Sequence, residues 1–95
     1  MQKPQVGSVT VSDVSWDSFL VSWTLERGVF DSFLIEVKSE GGEETHNLTV
    51  SGDVYSQAIT GLLPDTLYRV ILYGLHRGAL LEPVFAEATT GTHVQ

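Results

Sequence analysis

The chain has no cysteine. That removes a disulfide framework and any thiolate metal site, but it leaves the compartment open, because a domain of this size can fold without a staple. Basic residues are scarce: five Lys and Arg stand against twelve Asp and Glu, for a formal charge of −7. Nucleic-acid binding needs clustered Lys and Arg to neutralise phosphates, so that class is excluded. An anionic membrane surface is disfavoured on the same ground. No apolar run approaches the ~18 residues of a membrane-spanning helix. Nor does any stretch sustain a helical period over the length of a helix. There is no Gly-x-Ser-x-Gly elbow and no Ser-His-Asp arrangement. Met1 is followed by Gln2, Lys3 and Pro4 rather than by a signal-peptide pattern. A fragment of a longer protein is therefore expected, with Met1 supplied for expression.

What remains is enough for one small domain. A chain of 95 residues buries roughly 60–65% of its unfolded surface. That supports one modest core, not a core plus a deep catalytic cleft. A hydrophobic content of 42% is that of a globular protein and argues against disorder.

Side chains alternate in strands, and this period recurs along the chain. Val6 to Asp13 places Val9 and Val11 on one face. After a turn at Ser15 to Ser18, Phe19, Val21 and Trp23 share a face. Glu26-Arg27-Gly28 is expected as a loop. Asp31 to Lys38 aligns Phe33, Ile35 and Val37. Gly41 and Gly42 offer the positive φ of a hairpin turn. His46 to Val50 and Tyr55 to Thr60 follow as strands, the latter with Ile59 inward. Pro64 and Asp65 are turn residues. Tyr68, Val70, Leu72 and Gly74 then alternate along Leu67 to His76, and Pro83 precedes a last strand over Val84 to Thr90. Short strands at near-regular spacing, split by Gly, Pro, Asp and Ser turns, read as an all-β, seven-stranded antiparallel immunoglobulin-like sandwich. The first, second and fifth strands form one sheet in this reading, and the third, fourth, sixth and seventh the other. Trp23, Ile35, Ile59, Leu62, Tyr68, Val70 and Leu72 are the expected core. Residues 1–5 read as a lead-in, 6–91 as the domain and 92–95 as a tail. A tyrosine just after such a turn can bury its ring and return its hydroxyl to the turn backbone, as a tyrosine corner.

The combined spacing of Trp23, Phe33-x-Ile35-x-Val37 and Gly61-Leu62-x-Pro64-x-Thr66-x-Tyr68 resembles a fibronectin type III domain. In that resemblance Trp23, Leu62, Pro64 and Tyr68 are the structural signature, with Val37 where an aromatic is common. Val11-Ser12-Asp13-Val14, Phe30-Asp31-Ser32-Phe33, Leu72-Tyr73-Gly74-Leu75 and Ala88-Thr89-Thr90-Gly91 look like the tenascin group of these domains. The resemblance implies a non-catalytic adhesion or spacer module of a secreted extracellular matrix glycoprotein. Its implied partners are neighbouring type III domains in tandem and extracellular proteins, with no cofactor, nucleic acid or membrane insertion. A ligand-binding module of a receptor ectodomain, or an engineered binding scaffold of the same fold, are the alternatives.

Asn47-Leu48-Thr49 is an N-glycosylation sequon. It falls on a strand that such sandwiches leave at a sheet edge, where a glycan would blunt strand pairing. Arg77, Gly78, Leu80 and Leu81 make the candidate partner loop. Some type III domains bind integrins through Arg-Gly-Asp in this loop. Ala79 lacks the metal-ligating carboxylate, which argues against that mode here. Two adjacent leucines cannot both turn inward easily, so one is expected under the loop and one outside. Trp16, in the first turn, is either a partner contact or a lid over the bottom of the sandwich. His46, His76 and His93 match no metal-ligand spacing and read as neutral surface histidines. Asp13, Asp17, Glu43 and Glu44 read as solvated turn charges.

Overall fold

The computed structural model describes residues 3–93; Met1, Gln2, Val94 and Gln95, parts of the expected lead-in and tail, lie outside the described residues. Among the described residues eight strands form two antiparallel sheets: β1 (Gln5–Ser12), β2 (Phe19–Arg27), β3 (Ser32–Ser39), β4 (Thr45–Ser51), β5 (Ser56–Ile59), β6 (Leu67–His76), β7 (Ala79–Leu80) and β8 (Val84–Thr89). One sheet runs β1-β2-β5. The other runs β4-β3-β6, with β7 and β8 both paired to β6. The expected division between sheets holds, and the fold is an immunoglobulin-like sandwich.

The strand count is eight rather than seven. Arg77 and Gly78 both have positive φ, 52° and 80°, which is the backbone of a two-residue type I′ hairpin turn. The chain therefore folds straight back, and Ala79–Leu80 pair with His76 and Leu75. Arg-Gly is a poor signature for that turn, which favours Asn-Gly or Asp-Gly. The expected seventh strand is β8.

Most other strand ends shift by one residue, and β2 runs four residues further than expected. Glu26 and Arg27 belong to β2 rather than to a loop, because β1 begins at Gln5 and pairs it with Arg27. Pro4 is buried, and it packs so closely on Gly28 that a Cβ there would lie 2.6 Å from the Pro4 ring. In the β3–β4 turn, Gly41 and Gly42 have the expected positive φ, 89° and 74°.

The seven expected core residues are all buried. Alternation explains most of them, since Phe19, Val21 and Trp23 of β2 face Phe33, Ile35 and Val37 of β3 and Tyr68, Val70 and Leu72 of β6. Full burial of such side chains stabilises by roughly 1.5–3 kcal/mol each. Trp23 lies against Phe33 with ring centroids 5.3 Å apart. Alternation missed Phe30, which sits in the β2–β3 connection and is only 3% exposed. Its ring packs 5.2 Å from that of Phe33. Gly74 makes room for it: a Cβ at that position would stand 2.1 Å from Phe30 Cε1.

Candidate functional site

The candidate partner loop is built on β6 and braced by the β2–β3 connection. Asp31 Oδ2 accepts a hydrogen bond from the Arg77 amide at 2.7 Å. The Asp31 amide donates to the Leu75 carbonyl at 2.9 Å, and the Leu81 amide to the Gly74 carbonyl at 2.9 Å. Asp31 thus holds a non-glycine residue in the left-handed region, where L-residues are disfavoured. The adjacent leucines divide as their chemistry requires. Leu81 packs against the core, while Leu80 is 51% exposed on β7.

This loop shares one pole of the sandwich with the chain entry. An open groove of about 530 Å³ runs between Pro4, Gly28, Val29, His76, Arg77 and Leu81. Val29 on its rim is 78% exposed. Arg27 Nε donates to the Lys3 carbonyl at 3.2 Å. Lys3, Arg27 and Arg77 thereby gather at this pole most of a base content of only five. The arrangement offers apolar contact beside three cationic side chains, with the carboxylates of Asp31 and Glu82 at the same pole.

The opposite pole carries the corner around Tyr68. The Leu63 amide donates to Tyr68 Oη at 2.8 Å, and Tyr68 Oη donates to Glu44 Oε1 at 3.1 Å. Leu62 is buried beside it, and its amide donates to the Asp17 carbonyl at 2.9 Å. Thr66 Oγ1 donates to the Pro64 carbonyl at 2.8 Å. Thr90, buried, donates through its hydroxyl to the Leu63 carbonyl.

Glu44 is not merely a solvated turn charge, nor is His46 a free surface histidine. Glu44 Oε1 lies 2.6 Å from His46 Nε2 while it also accepts from Tyr68. The His46 hydrogen bond, with a smaller contribution from Tyr68, holds the Glu44 carboxyl below the usual carboxylate range, against some desolvation. Burial pushes the Tyr68 phenol above its ordinary value, and the Glu44 charge adds to that. Spacing could not signal this network, because Glu44 and Tyr68 meet only through tertiary packing.

Asn47 is exposed on β4, which pairs only with β3 and so forms a sheet edge. Thr49 is exposed on the same face. His46 lies on the opposite, inward-facing side of that strand, and His76 and His93 lie elsewhere. Among the described residues no three His, Cys, Asp or Glu side chains cluster as metal ligands would. Trp16 is 39% exposed and stacks on His93, with ring centroids 3.9 Å apart and planes at 19°. Two exposed aromatics carry no signal in the strand pattern: Tyr55, 52% exposed just before β5, and Phe85, 61% exposed on the outward face of β8.

Comparison with known proteins agrees with this architecture. A family model described as Fibronectin type III domain matches residues 2–86. Tenascin of Gallus gallus is 42% identical over 93 residues, covering 97% of this chain and 5% of that protein. Tenascin of Mus musculus is 38% identical over 89 residues, covering 93% of this chain and 4% of that protein. The chain thus spans only about a twentieth of those relatives. A solved two-domain fibronectin type III segment from chicken tenascin superposes with a TM-score of 0.85 at 24% identity, covering 90% of this chain and 49% of that one. That last likeness is one of fold.

Proposed function

The chain belongs to the fibronectin type III family, and from that premise we propose that it serves as a non-catalytic module in a tandem array of a secreted, tenascin-like extracellular matrix glycoprotein. The observation that carries this reading is that chain entry and exit lie at opposite poles. At one pole Gln5 pairs with Arg27 and Pro4 packs on Gly28. At the other, the Gly91 amide donates to the Ser15 carbonyl and the Gly91 carbonyl accepts from the Asp65 amide, both at 3.0 Å. A module threaded end to end transmits tension along its strands and leaves its loops free. Its mechanical resistance comes from the backbone ladders of β1-β2 and β3-β6 and from the core between the sheets. Its presenting surface is the entry-pole loop, with Leu80, Val29 and Arg77 at its rim.

The test joins two copies directly and measures their shape by small-angle X-ray scattering. An elongated particle, longer than the single domain by about one domain length, supports the array. A pair folded side by side refutes it. For the loop, binding to immobilised matrix extract is compared between the domain and a Leu80→Ser, Arg77→Ala variant. Equal capture by both ends the presenting role of that loop.

A further inference from the structure

The second sheet has an outward face whose rows follow from the strand register. Asn47 of β4 pairs with Glu36 of β3. Glu36 pairs with Ile71 of β6, and Ile71 with Phe85 of β8. Directly paired residues of antiparallel strands point to the same side of the sheet. Asn47, Glu36, Ile71 and Phe85 therefore form one row across the outside of the domain. Ile71 is 8% exposed although it points away from the core, whereas Phe85 at the end of the row remains largely open. On one side the row is bordered by the Arg69–Glu87 ion pair, 3.3 Å between charged atoms. On the other stand Leu34 and Tyr73, which pair with each other. The open Phe85 ring therefore stands at the end of a row whose other apolar member, Ile71, is already nearly covered.

We propose that an N-linked glycan on Asn47 folds back along this row, lying over Glu36 and Ile71 and stacking its sugar faces on the ring of Phe85. This rests on reading Asn47-Leu48-Thr49 as an occupied sequon. The reach is suitable. Adjacent strands are about 4.8 Å apart, so Ile71 lies roughly 10 Å and Phe85 roughly 14 Å from Asn47 across the sheet. A pyranose ring spans about one such step, and the branched core of an N-glycan is several rings long. The chemistry is complementary as well. A pyranose has one face of C–H bonds, weakly positive, which suits the negative face of an aromatic ring. Glu36, midway, already interacts with the Tyr73 hydroxyl, and its carboxylate keeps further acceptor sites for the N-acetyl amide or a sugar hydroxyl. The sugar hydroxyls on the far side stay in water. The glycan then covers the open Phe85 ring and screens the free edge of β4 together.

The experiment expresses the domain in a secretory mammalian host, with Phe85→Ser and Phe85→Leu variants, and removes the glycan enzymatically from half of each sample. Intact mass reports occupancy. Proton NMR reports sugar signals shifted upfield by a nearby aromatic ring, and urea denaturation reports stability. The expected result is upfield-shifted sugar protons in the parent that vanish in both variants, and a fall in urea midpoint on deglycosylation that is larger for the parent than for Phe85→Ser. An unoccupied Asn47 by mass overturns the sequon reading and the proposal with it. An occupied Asn47 with unshifted sugar signals and equal midpoint changes overturns the packing proposal alone. Concentration-dependent self-association of both glycoforms, lost in Phe85→Ser, makes the strip a face for a second copy and also overturns it.

Discussion

The amide of Leu63 donates to the hydroxyl of Tyr68 across 2.8 Å, closing the turn before β6 onto the strand that follows it. The same hydroxyl then donates to Glu44 on the approach to β4. One phenol thus ties the corner of the second sheet to its edge strand. Replacing Tyr68 by Phe removes both bonds while keeping the ring. A loss of about 0.5–1.5 kcal/mol is expected, the net value of one hydrogen bond, since the glutamate can rehydrate. Urea denaturation measures it. A loss indistinguishable from zero would make Tyr68 an ordinary strand aromatic.

The network also sets how stability depends on pH. Glu44 has its folded pKa held down, by His46 first and then by Tyr68. Its contribution is therefore present above the usual carboxylate range, near pH 4.3, and is lost as pH falls through the lower folded value. Tyr68 has its folded pKa raised, chiefly by burial. Its contribution is full below about pH 10 and is lost as pH rises through the higher folded value. Glu44→Gln should flatten the acid limb of the stability profile, and Tyr68→Phe the alkaline limb. If both limbs keep their slopes in the respective variants, other groups control the profile.

Phe30 and Gly74 should be energetically coupled. A Cβ at position 74 would overlap the Phe30 ring, so Gly74→Ala should cost about 1–3 kcal/mol by overpacking. Phe30→Ala alone should cost about 3–5 kcal/mol as a core truncation. In the Phe30→Ala background the cost of Gly74→Ala should largely disappear. Strict additivity in this double-mutant cycle would show that the ring does not occupy the space above Gly74.

The two leucines of the entry-pole loop should behave differently despite being adjacent. Leu80→Ser should change stability by no more than about 0.5 kcal/mol, as for an exposed site. Leu81→Ser should cost about 1–2 kcal/mol, less than the ~2–5 of a fully buried leucine truncation, because its side chain is only partly enclosed. Thermal denaturation of both variants decides it. Equal effects would mean that the loop does not hold one leucine in and one out. This contrast matters for function, because it makes Leu80→Ser a test of binding free of folding defects.

Much of the fold was legible because alternation is a local property. Phe33, Ile35 and Val37, like Tyr68, Val70 and Leu72, announce their inward face through period two alone. The division of strands between the sheets came from the family resemblance that Trp23 and the Gly61-to-Tyr68 corner carry, not from the residues alone. The site was less legible. Arg77-Gly78 concealed a hairpin, because arginine rarely takes the left-handed conformation unless something such as Asp31 holds it there. Phe30 and Asp31 lie in a connection without period, so their roles at the pole could not be read from spacing.

The sequence by itself determined the all-β class, the core faces and the corner tyrosine, since each depends on residues that are neighbours in the chain or share a strand period. Only the tertiary structure decided that Glu44 and His46 close a network with Tyr68. It also decided that Lys3, Arg27 and Arg77 meet at one pole, and that Asn47 and Phe85 stand in one row. Those relationships join residues far apart in the chain, and strand register sets their distances. Register is fixed by the whole buried face at once, so no single segment encodes it.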